Sequence, residues 1–163
     1  MRHIISILLE NEAGALSRVS GLFSARAYNI SSLTVAPTDD PTISRITVVA
    51  KGEDAVVQQI IKQLNKLVDV IGVMDLTDNE HFEREIMLVK VAPKGGQEER
   101  IKSVIQELAA RQLESQENMM TLEITNNNLK LNEAIEALKP FNIIEVVRSG
   151  PVGIGSGSSV LSI

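Results

Sequence analysis

The chain of 163 residues carries a formal net charge of −5, and only 2% of its residues are aromatic. A nucleic-acid binder needs clustered Lys and Arg, and a single-strand binder adds exposed aromatics for stacking, so this composition excludes nucleic acid as a partner. The absence of cysteine rules out disulfides, thiolate catalysis and Cys-based zinc sites. With no apolar run of about 18 residues either, the chain reads as a cytoplasmic protein without a membrane partner.

Met1-Arg2-His3 leads into the apolar run Ile4–Leu9, which is too short for the core of a signal peptide and predicts a first strand. A helix is expected from roughly Gly14 to Arg26, with Leu16, Val19, Leu22 and Phe23 on its inner side. Two strand-like runs follow, Asn29–Ala36 and Thr42–Ala50, joined by Pro37-Thr38-Asp39-Asp40-Pro41, whose prolines and acids make a connecting turn. Val57, Ile60, Ile61 and Leu64 recur at i, i+3, i+4, i+7 and predict a second helix, and Val68–Leu76 closes the half as a strand. Strand, helix, strand, strand, helix, strand is the order of a ferredoxin-like sandwich.

The order then repeats. Ile86–Val91 predicts a strand and Pro93-Lys94-Gly95-Gly96 a turn, and Ile101, Val104, Ile105 and Leu108 mark a helix. Short strands are expected near Gln112–Gln116 and Met119–Thr125. Leu131, Ala134, Ile135 and Leu138 mark another helix, and Asn142–Arg148 a last strand. The fold class is therefore α+β, with two ferredoxin-like βαββαβ domains in tandem over residues 1–77 and 83–149, separated in the polar stretch Thr77–Phe82. From residue 150 the composition turns to Gly and Ser and predicts a flexible tail over 150–163.

Glu10-Asn11-Glu12-Ala13-Gly14-Ala15-Leu16-Ser17 joins the first strand to the first helix. Unpartnered N–H groups and the positive end of the helix dipole suit a carboxylate there. Gly14 lets a ligand approach the backbone, and the Asn11 amide offers an oxygen to an ammonium group or caps a helical N–H. Such a loop fits the two charged ends of a free α-amino acid. It also fits an ordinary helix start with a turn glycine, and the residues alone leave both readings open.

The stretch from Leu8-Leu9-Glu10-Asn11 through Gly14-Ala15-Leu16-Ser17-Arg18-Val19 resembles the start of the ACT domain in acetohydroxyacid synthase (acetolactate synthase) small regulatory subunits. Tyr28-Asn29-Ile30 with Ser32-Leu33-Thr34-Val35-Ala36-Pro37-Thr38 is similar to that family's second signature. Gln63–Val70 and Glu83–Lys90 extend the likeness, which is nearly gapless from Arg2 to Val91 and weaker from Ala92 onward, with Glu145–Gly150 recognisable near the end.

The resemblance implies a non-catalytic chain that pairs as a homodimer through its ACT domain. It implies a catalytic large subunit as partner, which this chain activates and through which it confers feedback inhibition by valine or another branched-chain amino acid. Thiamine diphosphate, Mg and FAD are expected on that partner, and no cofactor on this chain. The resemblance places the effector at the dimer interface. Asn11, Ala13, Gly14, Ala15 and Leu16 of one copy would hold the amino-acid ends, and Asn29 and Ile30 of the other would close the site. Leu9, Leu16, Ile30, Leu33 and Val35 are available for an apolar slot.

The chain departs from the family pattern at Ala27 (commonly Gly), Ser31 (often Glu), Leu108-Ala109-Ala110-Arg111 and the Gly155-Ser156-Gly157-Ser158 ending. A free-standing paired-ACT sensor of a different enzyme or transcription factor is the alternative, and a small enzyme of its own is a third.

No catalytic set emerges: Ser17 and Ser20 have no nearby base. His3 and His81 lack metal-ligand companions and are expected solvated or at a strand edge. Asp39-Asp40 reads as turn chemistry, and Glu83-Arg84-Glu85 as a solvated face. Gly153-x-Gly155-x-Gly157 lacks the strand–helix unit of a phosphate loop. No metal site is expected.

Overall fold

Strand β1 (Arg2–Glu10) is buried at every position from His3 to Leu9. Side chains alternate across a strand, so a run of this kind needs cover on both faces. On one face Ile5, Ile7 and Leu9 join Ile46, Val48 and Ala50 of β3 (Ile43–Lys51). Helix α1 (Ala15–Ser24) covers them with Ala15, Val19 and Phe23, and α2 (Asp54–Leu64) with Val57, Ile60 and Leu64. Burying each large aliphatic side chain stabilises the fold by about 1.5–3 kcal/mol. The α1 stripe runs i, i+4, i+8, so Leu16, expected on the inner side, is turned outward and is 39% exposed. Nor is His3 solvated or at a strand edge. On a central strand it is 3% exposed, with Nε2 3.2 Å from Asp54 Oδ1.

The structure is a computed structural model that describes residues 1–25 and 28–162. The expected helix end at Arg26 and the departure at Ala27 lie outside the described residues. The first sheet has the order β2-β3-β1-β4, with β2 (Asn29–Pro37) and β4 (Val70–Asp75) at its edges and every pair antiparallel. β3 fixes the levels of its neighbours. Lys51 faces both Arg2 and Asn29, and Ser44 faces both Leu9 and Pro37. The register shifts between Ile30 and Ser32, which places Ser31 at an irregularity of the edge strand.

Residues 83–150 form a second compact unit. Here β5 (His81–Val91), α3 (Glu98–Glu107), β6 (Arg111–Gln116), β7 (Met119–Asn126), α4 (Asn128–Leu138) and β8 (Ile143–Arg148) repeat the element order, with the sheet path β6-β7-β5-β8. Met87, Val89, Val91, Leu122 and Ile124 pack against Ile101 of α3 and Leu131, Ala134 and Leu138 of α4. The Asn127 side chain caps α4 by accepting from Lys130 N–H at 2.9 Å. Glu85 is not part of a solvated face. It is 4% exposed and accepts two hydrogen bonds from Arg148, at 2.8 and 2.7 Å, because a buried carboxylate needs a charged partner.

The other face of the first sheet presents Ile4 and Val49, joined by Leu76. The described residues from Pro151 onward belong to this first unit, with those from Met1 to Phe82. Where composition predicts a flexible tail, Val152–Gly155 forms strand β9 and Ser156 N–H donates to Glu80 O at 2.9 Å. Gly153 N–H donates to Thr47 Oγ1 at 3.3 Å. Arg45 bridges Ser6 Oγ and Gly153 O at 2.9 and 3.2 Å.

Gly153 and Gly155 allow close approach of their neighbours. A Cβ at Gly153 would stand 2.8 Å from Leu76 Cδ1, and one at Gly155 2.3 Å from Ser159 O. Gly155→Ala is therefore expected to cost about 1 kcal/mol or more in urea unfolding of the full chain. Gly95→Ala, where a Cβ meets nothing within 4 Å, serves as a neutral control. Equal stabilities of the two variants would mean that the tail is loose.

Candidate functional site

Three hydrogen bonds tie down the chain as it leaves β1. Glu10 N–H donates to Asp69 O at 2.8 Å, Asn11 N–H to Thr42 O at 2.7 Å, and Asn11 Nδ2 to Pro41 O at 3.0 Å. The last bond orients the amide, so Asn11 Oδ1 is left without a partner among the described residues. Asn11 does not cap the helix, one of the two roles its sequence position allowed, since no side chain caps α1. Gly14 stands at the N-cap of α1 with φ +89°, a left-handed conformation that favours glycine, and no side chain caps the helix.

Ala15 N–H donates to Glu12 O at 3.2 Å, while Gly14, Leu16 and Ser17 N–H make no hydrogen bond among the described residues. With no acidic residue in the first turn, the positive end of the helix dipole is not neutralised. Ala13 and Leu16 are exposed, whereas the Ala15 side chain is buried in the core.

The tertiary structure adds Arg18 and Asp69, which sequence reasoning missed. Side chains on a helix lean toward its N-terminus, and Arg18 follows Gly14 by four residues on the same face. Its Nε donates to Asp69 Oδ2 at 2.5 Å and its Nη2 to Asp69 Oδ1 at 2.8 Å. Nη1 lies 3.0 Å from the point a Cβ on Gly14 would occupy. The i, i+4 spacing of Gly14 and Arg18 is a sequence signal for this approach, but nothing local points to Asp69, 51 residues away.

The remaining expected residues lie elsewhere in the chain. Asn29 is level with Arg2 and Ile30 follows it, eight residues along the sheet from the level of Glu10. At roughly 3.3 Å per residue this separates Asn29 from the Gly14 loop by about 26 Å within one chain. Ile30 and Leu33 are half-buried and Val35 is 41% exposed. Leu9, expected in an apolar slot, is 2% exposed and belongs to the core, because odd positions of β1 face the helices. Among the described residues no group of three or more His, Cys, Asp or Glu is placed to hold a metal ion, and no helix is long and apolar enough to cross a membrane.

The hydrogen bonds from Arg18 hold the Asp69 carboxyl below the usual aspartate range. A group whose folded pKa is lowered contributes stability above its unfolded pKa and loses it as pH falls through the folded value. The stability difference between the natural chain and Asp69→Asn is thus expected to be full at neutral pH and to shrink in acid, below the ordinary aspartate pKa. Urea unfolding across that range measures it, and a difference that stays constant would mean the pair does not form.

Comparison with known proteins gives a consistent family. The domain described as the AHAS small subunit-like ACT domain matches residues 5–72, and the small subunit of acetolactate synthase matches residues 84–157. The acetolactate synthase isozyme 3 small subunit of Salmonella typhimurium is 47% identical over 162 residues, 99% of each chain. The acetolactate synthase small subunit of Haemophilus influenzae is 48% identical over 158 residues, 96% of this chain and 97% of its own. The crystal structure of the acetolactate synthase small subunit from Thermotoga maritima aligns with a TM-score of 0.86 at 31% identity, over 97% of this chain and 99% of that one. With both halves matched and identity carried along nearly the whole length, the chain belongs to the acetolactate synthase small-subunit family, its first half an ACT domain.

Proposed function

We propose that this chain is the non-catalytic regulatory subunit of an acetolactate synthase in branched-chain amino acid biosynthesis. It binds and activates a separate catalytic large subunit, acts in the cytoplasm, and confers feedback inhibition by a branched-chain amino acid, valine foremost. The effector sits between two copies of the ACT domain.

The observation that carries this reading is the register of β2. The strand lies at a sheet edge, where a second copy can add to it. Pairing two copies of β2 antiparallel about a two-fold axis brings the Asn29 end of one to the Pro37 end of the other. Pro37 is level with Leu9, one residue before the site loop begins. The halves that stand about 26 Å apart within a chain then meet between chains.

The chemistry of the loop agrees. The unpartnered N–H groups at Gly14, Leu16 and Ser17 suit the effector carboxylate, and Asn11 Oδ1 suits its ammonium group. The exposed apolar surface of Leu16 and Val35 suits a branched side chain. A ligand held by both copies favours the paired state, which gives valine a route to the assembly and so to the activity of the partner.

Mixing the chain with the catalytic subunit is expected to raise acetolactate formation and make it valine-sensitive, with no turnover by the chain alone. An unchanged rate and unchanged valine response would favour a free-standing paired-ACT sensor instead. Gly14→Asp puts a carboxylate and a Cβ into the strained φ +89° position beside Arg18, and is expected to abolish valine inhibition while activation persists. Asn29→His is expected to weaken valine binding from the opposite copy. Heterodimers with Gly14→Asp in one chain and Asn29→His in the other should keep one valine site of two by calorimetry. Loss of both would sink the shared site.

A further inference from the structure

We propose that Arg18 binds the effector carboxylate directly through Nη1, with its guanidinium held in place by Asp69. The inference rests on the effector reading of the Gly14 loop and names the side chain that selects for a free carboxylate there.

The guanidinium presents two distinct edges. Nε and Nη2 are both engaged by Asp69, in a two-point pairing that matches the planar fork of arginine to a carboxylate. The Asp69 side chain is 8% exposed, so the clamp is set into the protein, while the Arg18 side chain remains 47% exposed and reachable from solvent. Nη1 makes no hydrogen bond among the described residues.

It stands 3.0 Å from the vacant Cβ position of Gly14, and Cζ stands 3.7 Å from the same point. That point lies about 1.5 Å from the Gly14 Cα, so the guanidinium packs against the bare backbone of the turn. It stands at a helix start whose Gly14, Leu16 and Ser17 N–H groups have no partner among the described residues, and a carboxylate drawn to those donors comes within reach of Nη1. The glycine therefore serves two ends: it permits the left-handed turn, and without a Cβ it lets a fixed cation stand against the loop. An amino acid whose carboxylate is masked lacks the charge that Nη1 reads.

The test uses the full chain with valine as the probe. By calorimetry, Arg18→Ala and Arg18→Lys are each expected to raise the dissociation constant for valine by about 10- to 100-fold, the range for losing a hydrogen bond to a charged group. Both should retain the far-ultraviolet circular dichroism of the natural chain. In parallel, the guanidinium ¹⁵N–¹H signals of Arg18, assigned through its side-chain carbons in the natural chain, are expected to shift on saturation with valine.

Affinities within two-fold of the natural chain would overturn the proposal. So would weakened binding with Arg18 signals that ignore valine, since a purely structural clamp behaves that way. Where the variants do not fold, the signals of the natural chain decide alone. A natural chain that binds none of valine, leucine and isoleucine fails the effector reading itself, an outcome distinct from valine binding that leaves Arg18 unaffected.

Discussion

The first unit depends on burying β1 on both faces. A strand with Ile5, Ile7 and Leu9 on one side and Ile4 and Leu8 on the other must lie inside a sheet and between two layers. Helices α1 and α2 supply one layer, and the returning residues around Gly153 contribute to the other. Because a one-residue slip would exchange the two sets, the pairing of β1 with β3 has a single acceptable register. That register decides which loops share an end of the sheet. The Asn11 loop, the Pro41-Thr42 turn and the Asp69 segment meet at one end, while Asn29 lies at the other.

The site end of the sheet combines rigidity with unspent polarity. Backbone bonds from Glu10 and Asn11 fix where β1 stops, and the Asn11–Pro41 bond fixes which atom of the amide is left over. The helix that follows has neither a side-chain cap nor an acid in its first turn. Caps and acids commonly stabilise a helix start by about 1 kcal/mol. Their absence leaves donors and positive potential that an anionic ligand can satisfy. Asp69 engages Nε and Nη2 of Arg18 and leaves Nη1, the atom nearest Gly14, without a bond among the described residues, so the carboxylate steadies the cation without using its free edge.

Much of the fold was legible because its signals are local. The stripes at Val57–Leu64 and Leu131–Leu138 are helices, and the turn between Pro37 and Pro41 joins two antiparallel strands. Sequence expectation and structure differ where burial depends on neighbours that are remote in the chain. His3 and Glu85 are polar residues that would ordinarily be solvated, yet they sit on strands flanked on both sides. Leu9 and Leu16 are both apolar, but strand phase sends Leu9 into the core, while helix phase turns Leu16 away from the inner side that its spacing predicts and leaves it exposed. Glycine-rich composition predicts mobility in the tail, and only the nearness of Leu76 to Gly153 and of Ser159 O to Gly155 reveals the steric role of these two.

The sequence by itself determined the order of elements, the loop with glycine at a helix start, and a likeness to the ACT domain of acetolactate synthase small subunits. These reside in short stretches of chain, where periodicity and turn chemistry act over a few residues. Tertiary structure alone decided that Arg18 is clamped by a carboxylate 51 residues away, and that Asn29 stands too far from Asn11 to share a site within one chain. Both are consequences of strand register, which no local stretch encodes because it emerges only when two buried faces are satisfied at once.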